Sequence, residues 1–189
     1  RSPKGQKIYE NLKVEEYDVV VFQNPQLTLL PRSFIERCDR VMKNRRQGLL
    51  ITGESFSKSL LKAGLFKDYL PYSALDDEAR DEDVQVMVSR SGQKHFVTGF
   101  LSKISPLQRD KVMAPFSGRY NRGTPLLVSQ NLLNVKGNSV LLAARNKQCR
   151  VMWLNVSGMW QWMRAAESQA IYIQLWRRMI FYLASREAD

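Results

Sequence analysis

The sequence predicts an α/β protein, a three-layer αβα sandwich with a mostly parallel sheet and a β-rich insertion in the middle. Three observations predict it. Two short, continuously apolar runs, Tyr17–Phe22 and Gly48–Gly53, have the character of strands covered on both faces. A segment of helical periodicity lies between them, and strand–helix–strand order implies a right-handed βαβ crossover. Alternating and turn-rich segments then occupy the middle of the chain, before a final long helix.

Residues 1–16 are polar and basic and form a leading segment. Tyr17-Asp18-Val19-Val20-Val21-Phe22 is the first strand, and Gln23-Asn24-Pro25 ends it. Ser33 with Glu36 three residues on reads as a capping box. Phe34, Ile35, Cys38, Val41 and Met42 place an amphipathic helix over about 34–46. Gly48–Gly53 is the second strand, and Phe56–Lys62 a short helix closed by Gly64. The acidic run 76–83 reads as an exposed loop, Val84–Val88 as a half-buried strand, and 102–124 as a long basic loop. Leu126–Val128, Val140–Ala144 and Arg150–Leu154 read as further strands, with turn signals at Gly137-Asn138 and Asn146-Lys147. The last helix covers about Ser168–Ser185, with Ile171, Leu175, Trp176, Met179, Tyr182 and Leu183 as its apolar stripe. The chain is expected to be a single domain over 1–189, with the insertion and long loops at about 72–125.

Of the 189 residues 44% are hydrophobic and 25% charged, which is globular composition and excludes a disordered polar tail. No apolar run is long enough to span a bilayer, because Arg177 and Arg178 interrupt Ile171–Leu183. A chain opening on Arg1 reads as a fragment or a processed product. Two cysteines, Cys38 and Cys149, and one histidine, His95, form neither a disulfide framework nor a zinc pattern. No cofactor and no metal are expected. The formal net charge of +11 is spread over Lys43, Arg45, Arg46, Arg119, Arg122, Arg177 and Arg178 among others. Such an excess attracts nucleic acid or anionic lipid, but no recognisable nucleic-acid-binding motif accompanies it, so a solvated basic surface is the preferred reading.

Two places carry candidate chemistry. Gly53-Glu54-Ser55-Phe56-Ser57 follows a strand and opens a helix, the setting of a nucleophile elbow with Ser55 as nucleophile. The elbow's usual second glycine is replaced by Ser57, and Ser55 as a simple helix cap is the plainer reading. His95 is the one imidazole available as a base, and nothing in the sequence brings it to Ser55. The second place is Val156-Ser157-Gly158-Met159-Trp160-Gln161-Trp162. Trp160 and Trp162, with Trp176 on the last helix, suggest an aromatic cluster at a strand end. It serves either as a binding surface or, the preferred reading, as a pin between the last helix and the sheet.

Taken together, several short motifs resemble the class I glutamine amidotransferase-like domains of bacterial membrane proteins, often found alongside von Willebrand factor type A modules. Tyr17–Val21, Gly48–Phe56, Tyr69-Leu70-Pro71, Cys149-Arg150-Val151, Trp160-Gln161-Trp162 and Leu175-Trp176-Arg177 are similar to family segments, in order, over about 17–184. Thr52 and Asn146–Cys149 stand where the family has glycines. The resemblance implies a flavodoxin-like fold. The elbow carries Ser55 instead of cysteine, and Val156–Met159 contains no His-x-Glu pair, so by carry-over the catalytic triad is lost.

The expected function is accordingly a non-catalytic domain in an extracytoplasmic, membrane-anchored protein. It would bind another domain of its parent chain or a protein partner through Gly53, Glu54, Ser55, Phe56, Trp160 and Trp162. Membrane attachment would lie outside 1–189, and nucleic acid is not a favoured partner. The alternatives are a residual serine hydrolase using Ser55 with His95, and nucleic-acid or anionic-membrane binding through the basic surface.

Overall fold

A computed structural model of the chain describes residues 9–23, 30–44, 47–53, 72–75, 80–126, 128–146 and 149–185. The strands, in chain order, are β1 (Val19–Gln23), β2 (Gly48–Thr52), β3 (Tyr72–Leu75), β4 (Arg80–Val84), β5 (Met87–Val88), β6 (Phe116–Tyr120), β7 (Gly123–Pro125), β8 (Gln130–Val135), β9 (Asn138–Asn146) and β10 (Cys149–Leu154). The helices are α1 (Arg32–Asn44), α2 (Arg90–Lys94), α3 (Pro106–Val112) and α4 (Ala166–Ala184). A 3-10 helix, Met159–Arg164, leads into α4.

The central sheet has six strands in the order β1-β2-β10-β9-β8-β5. β2 is paired in parallel with both β1 and β10. The β10/β9, β9/β8 and β8/β5 pairs are antiparallel. The sheet is therefore mixed and mostly antiparallel, which corrects the expected mostly parallel, flavodoxin-like sheet. The physical reason lies in the connections. Parallel neighbours need a crossover, whereas a tight turn joins antiparallel ones. Val135 pairs with Asn138, and the two residues between them, Lys136 (φ 48°) and Gly137 (φ 83°), both have positive φ, as a type I′ hairpin requires. Likewise Asn146 pairs directly with Cys149.

The apolar character of the strands comes from burial on both faces. On one face Leu49 and Ile51 of β2, Val151 and Trp153 of β10, and Leu142 of β9 pack with Phe34, Ile35, Cys38 and Met42 of α1. On the other, Leu50, Met152, Leu154 and Ala143 pack with Leu175, Met179, Tyr182 and Leu183 of α4. α4 lies so close that a Cβ on Gly48 would fall 2.5 Å from the Leu183 carbonyl oxygen. Arg150 is buried beside it, donating to the Tyr182 carbonyl at 2.8 Å with its guanidinium 4.7 Å from the Tyr182 ring centre.

Several segments differ from expectation. Arg80–Val84, read as the end of an acidic loop and the start of a strand, is itself a strand paired with β6. Val84–Val88 divides between β4 and β5, which belong to different sheets. The supposed long loop 102–124 holds α3, β6 and the start of β7. Leu126–Val128 is no strand: Leu126 lies outside one, Val128 is 72% exposed in a turn, and β8 begins at Gln130. The first helix starts at Arg32, so Ser33 lies inside it, and Arg32 pairs with Glu36 at 2.7 Å. The helix expected over Phe56–Lys62 lies outside the described residues.

The middle region contributes the two-stranded pairs β3/β7 and β4/β6. Tyr120 of β6 donates to Glu82 of β4 at 2.6 Å, and Lys136 in the β8–β9 turn pairs with the same carboxylate. The small β4/β6 ribbon is thereby tied to the antiparallel half of the main sheet.

Candidate functional site

β1, β2 and β10 run in the same direction and end side by side at Gln23, Thr52 and Leu154. From β1 the chain passes to α1 on one face, and from β10 it passes to α4 on the other. Where successive connections leave a sheet over opposite faces, the carboxyl ends of the strands border a crevice. Here that crevice is a pocket of about 200 Å³, lined by Gln23, Thr52, Gly53, Ser157, Trp160 and Trp176, with Tyr172 and apolar side chains completing it.

Backbone geometry shapes this pocket. Gly53 donates its N–H to the Leu154 carbonyl at 2.9 Å and then turns off the strand with φ 97°, a conformation natural to glycine. After β10, Asn155 is fully buried and pins the chain: its N–H reaches the Val140 carbonyl at 2.7 Å and its amide the Asn121 carbonyl at 2.9 Å. Val156 bridges Tyr120 of β6, and the Ser157 N–H donates to the Arg119 carbonyl at 2.8 Å. At Gly158 (φ 85°) a Cβ would lie 2.3 Å from the Ser117 carbonyl oxygen; at Gly118 a Cβ would lie 2.4 Å from that of Ser157. These two glycines let the backbone of β6 touch the loop after β10, and that contact fixes where the Met159–Arg164 helix begins.

The two candidate tryptophans part at this helix. Trp160 is half exposed, lines the pocket and carries the Arg164 guanidinium 4.5 Å from its ring centre. Trp162 is buried, donates its indole N–H to the Ala114 carbonyl at 2.8 Å, and meets Phe116 edge-to-face. Alternation by two would put both on one side of a strand; three residues per turn send them apart. Trp176, one turn along α4 from Tyr172, returns to the pocket. Tyr172 has its phenol pushed up by burial and partly drawn back by the Trp176 N–H.

The elbow residues divide similarly. Gly53 lines the pocket, whereas Glu54, Ser55 and Phe56 lie outside the described residues. His95 follows α2, accepts from the Val97 N–H at 3.1 Å through Nδ1, and packs its ring 4.8 Å from that of Tyr182. Tyr182 is ten residues beyond Tyr172 on α4, or about 15 Å along the axis. His95 thus sits toward the opposite end of the sheet, against the same Tyr182 ring that Arg150 at the start of β10 contacts. Gln23, Thr52, Gly158 and Tyr172 were not singled out from sequence. Only Gly158 carried a signal, as a glycine at a strand end beside the tryptophan cluster.

The remaining candidates sit in the framework. Cys38 and Cys149 are free and buried; burial pushes the Cys38 thiol up to about 12, with Arg37 opposing, and also raises Cys149. Several cations of the basic surface are used internally. Arg37 holds the carbonyls of Tyr9, Glu10 and Leu12, and Arg178 donates to the Phe96 carbonyl at 2.6 Å while stacking on Phe96 and Phe100. Among the described residues no group of three His, Cys, Asp or Glu side chains could hold a metal ion, and no helix is long and apolar enough to cross a membrane.

No family model and no curated protein matches the chain. Solved structures do. The cytoplasmic protein STM3548 from Salmonella typhimurium superposes with a TM-score of 0.71 at 17% identity, over 97% of this chain and 80% of that one. The cytoplasmic protein STM1381 from Salmonella typhimurium LT2 superposes with a TM-score of 0.69 at 16% identity, over 89% of this chain and 73% of that one. Both are described as cytoplasmic proteins, and neither as a membrane-associated amidotransferase-like domain. That finding overturns the expected family resemblance, the extracytoplasmic location and the role as a binding domain of a membrane-anchored protein. What the likeness establishes for this chain is its fold, shared along nearly its whole length with STM3548.

Proposed function

We propose that the chain is a small-molecule-binding domain whose ligand sits in the pocket at the carboxyl ends of β1, β2 and β10. One observation carries the reading: uncharged polar groups and aromatic rings from four separate segments converge on a single concavity at the strand ends. Gln23 and Thr52 offer an amide and a hydroxyl, and Trp160, Tyr172 and Trp176 three aromatic walls, while the Ser157 hydroxyl is engaged with the Arg119 backbone. Apolar walls with a few placed polar groups are the usual make-up of a ligand site. The described lining residues are uncharged, which suits a neutral ligand. A cytoplasmic setting is the companion proposal, supported by the descriptions of the two structural neighbours and by two free, buried thiols.

The test is a thermal-shift screen of small neutral compounds against the wild-type protein and Trp160→Ala. A ligand selective for the folded state raises the melting temperature by mass action, worth about 2.7 kcal/mol at a concentration 100-fold above Kd. Hits are expected to stabilise the wild type and to lose their effect on Trp160→Ala, whose own stability changes little because the ring is half exposed. Hits that act equally on both proteins, or no hits at all, would overturn the reading.

A further inference from the structure

With the strand-end pocket taken as the ligand site, we infer that Gln23 and Thr52 form a paired hydrogen-bonding edge within it, and that the ligand meets this edge with a donor and an acceptor on neighbouring atoms, as a carboxamide does. Strand register places the pair. Phe22 of β1, Ile51 of β2 and Trp153 of β10 belong to the core on the α1 face. Side chains alternate along a strand, so the next residues, Gln23, Thr52 and Leu154, project to the α4 face. Leu154 packs there in one core with Leu175 and Met179 of α4, and Tyr172 and Trp176 lie against that core. Gln23 is paired with Thr52, and Thr52 with Leu154, so the three form one row across the strand ends.

The row differs from its neighbour in chemistry. The preceding row on the same face is Val21, Leu50 and Met152, all apolar. At the strand ends polar groups replace two of the three. Thr52 is only 5% exposed, yet its hydroxyl has no hydrogen-bond partner among the described residues, and neither has the Gln23 amide. The large majority of buried polar side chains are hydrogen-bonded. Valine has nearly the same shape and carries no hydroxyl to desolvate. A threonine at this position therefore serves something that enters the pocket, which both residues line.

The pair sets the chemistry of what it binds. A hydroxyl and a side-chain amide each both donate and accept. Neighbouring strands lie about 4.8 Å apart, so the two groups can engage adjacent atoms of one ligand. A carboxamide presents an N–H donor beside a C=O acceptor and carries no charge. Neutrality matters, because no charged side chain among the described lining residues would offset an ion's loss of hydration. The aromatic walls take the apolar remainder of the molecule.

The experiment titrates benzamide and toluene, rings of similar size with and without the carboxamide, by ligand-observed NMR. The proteins are the wild type, Thr52→Val and Trp160→Ala. Thr52→Val keeps the side chain's shape, and a melting temperature no lower than that of the wild type checks the fold. Benzamide affinity is expected to fall about threefold to tenfold in Thr52→Val, the worth of one neutral hydrogen bond. Toluene affinity does not fall there, and Trp160→Ala weakens both probes. Benzamide affinity unchanged in Thr52→Val, or toluene affinity falling with it, would overturn the paired edge, while weakening by Trp160→Ala would still leave the pocket a binding site. Probes that bind equally well to Trp160→Ala would overturn the ligand-site reading and the inference with it. Binding of neither probe at millimolar concentration would overturn the carboxamide inference and leave the pocket to the compound screen.

Discussion

The central sheet is built in two ways on either side of β10. Between β1 and β10 the strands are parallel, and the chain leaves β1 for α1 on one face and β10 for the 3-10 helix and α4 on the other. From β10 through β9 and β8 to β5 the strands are antiparallel; a tight turn closes β8–β9, and Asn146 of β9 pairs directly with Cys149 of β10. The two halves share a core and look alike in hydropathy, since β2 and β10 are fully buried and so is the middle of β9, Ser139 to Ala143. They differ at their ends. A hairpin end is filled by its own turn, as at Lys136-Gly137. Beyond the parallel ends at Gln23, Thr52 and Leu154 the connections to α1 and α4 leave over opposite faces, and the space bordered by those ends becomes the pocket. Stability is therefore shared across the sheet, while the candidate site belongs to the parallel half alone.

Substitutions can set the halves against each other. The largest effect is expected at their boundary. Trp153 on β10 is fully buried and meets Tyr72 edge-on with ring centres 5.5 Å apart. Trp153→Ala should cost about 3–5 kcal/mol in urea unfolding through the cavity it leaves. Next comes Gly48→Ala in the parallel half. The added methyl meets the backbone of Leu183, which cannot move without α4, so a loss of about 1–3 kcal/mol is expected from overpacking. Gly137→Ala in the antiparallel half gives the contrast. Its Cβ meets nothing within 4 Å, and the cost of about 1 kcal/mol comes from the positive φ alone. A larger loss at Gly137 than at Gly48 would refute this division.

Alkaline pH probes the α1 face of the shared core. The Cys38 thiol is raised from 9.0 to about 12 in the folded protein, mainly by burial. Its contribution is fully present below the unfolded value and is lost as pH rises from about 9 toward 12, because the unfolded chain gives up the proton first. Urea midpoints of the wild type should fall over that window, and the fall should be shallower in Cys38→Ala. The smallest effect is expected at Val128, exposed in the turn before β8. Val128→Ser should change stability by no more than about 0.5 kcal/mol.

The same contrast explains what could be read from the residues. Periodicity located β1, β2, β10 and the two long helices to within a few residues, since each buries a regular face. Strand direction is not written in hydropathy. It was written in the turns: Gly137-Asn138 and Asn146-Lys147 mark connections too short for any crossover, and that consequence decides against a mostly parallel sheet. The acidic stretch ending at Asp83 hid β4 because a strand in a small two-stranded ribbon need not be apolar. At the site, Gly53, Trp160 and the contribution of Trp176 were legible as a glycine and large aromatics at strand ends. Gln23, Thr52 and Tyr172 were not, because an amide, a hydroxyl and a helical tyrosine are ordinary until strand order places them together. The Trp160-Gln161-Trp162 spacing misled for a local reason. A left-handed Gly158 starts a 3-10 helix there, and the two indoles diverge.

The most direct test of the strand-end pocket is the indole N–H spectrum of ¹⁵N-labelled protein during titration with a stabilising compound from the screen. The chain has four tryptophans, so each reports its own place. A ligand in the pocket shifts the Trp160 and Trp176 signals together, while Trp153 in the opposite core and Trp162, bonded to the Ala114 carbonyl, stay in place. Saturable binding that leaves Trp160 and Trp176 unmoved, or that moves Trp153 and Trp162 as much, would place the ligand elsewhere and contradict the account.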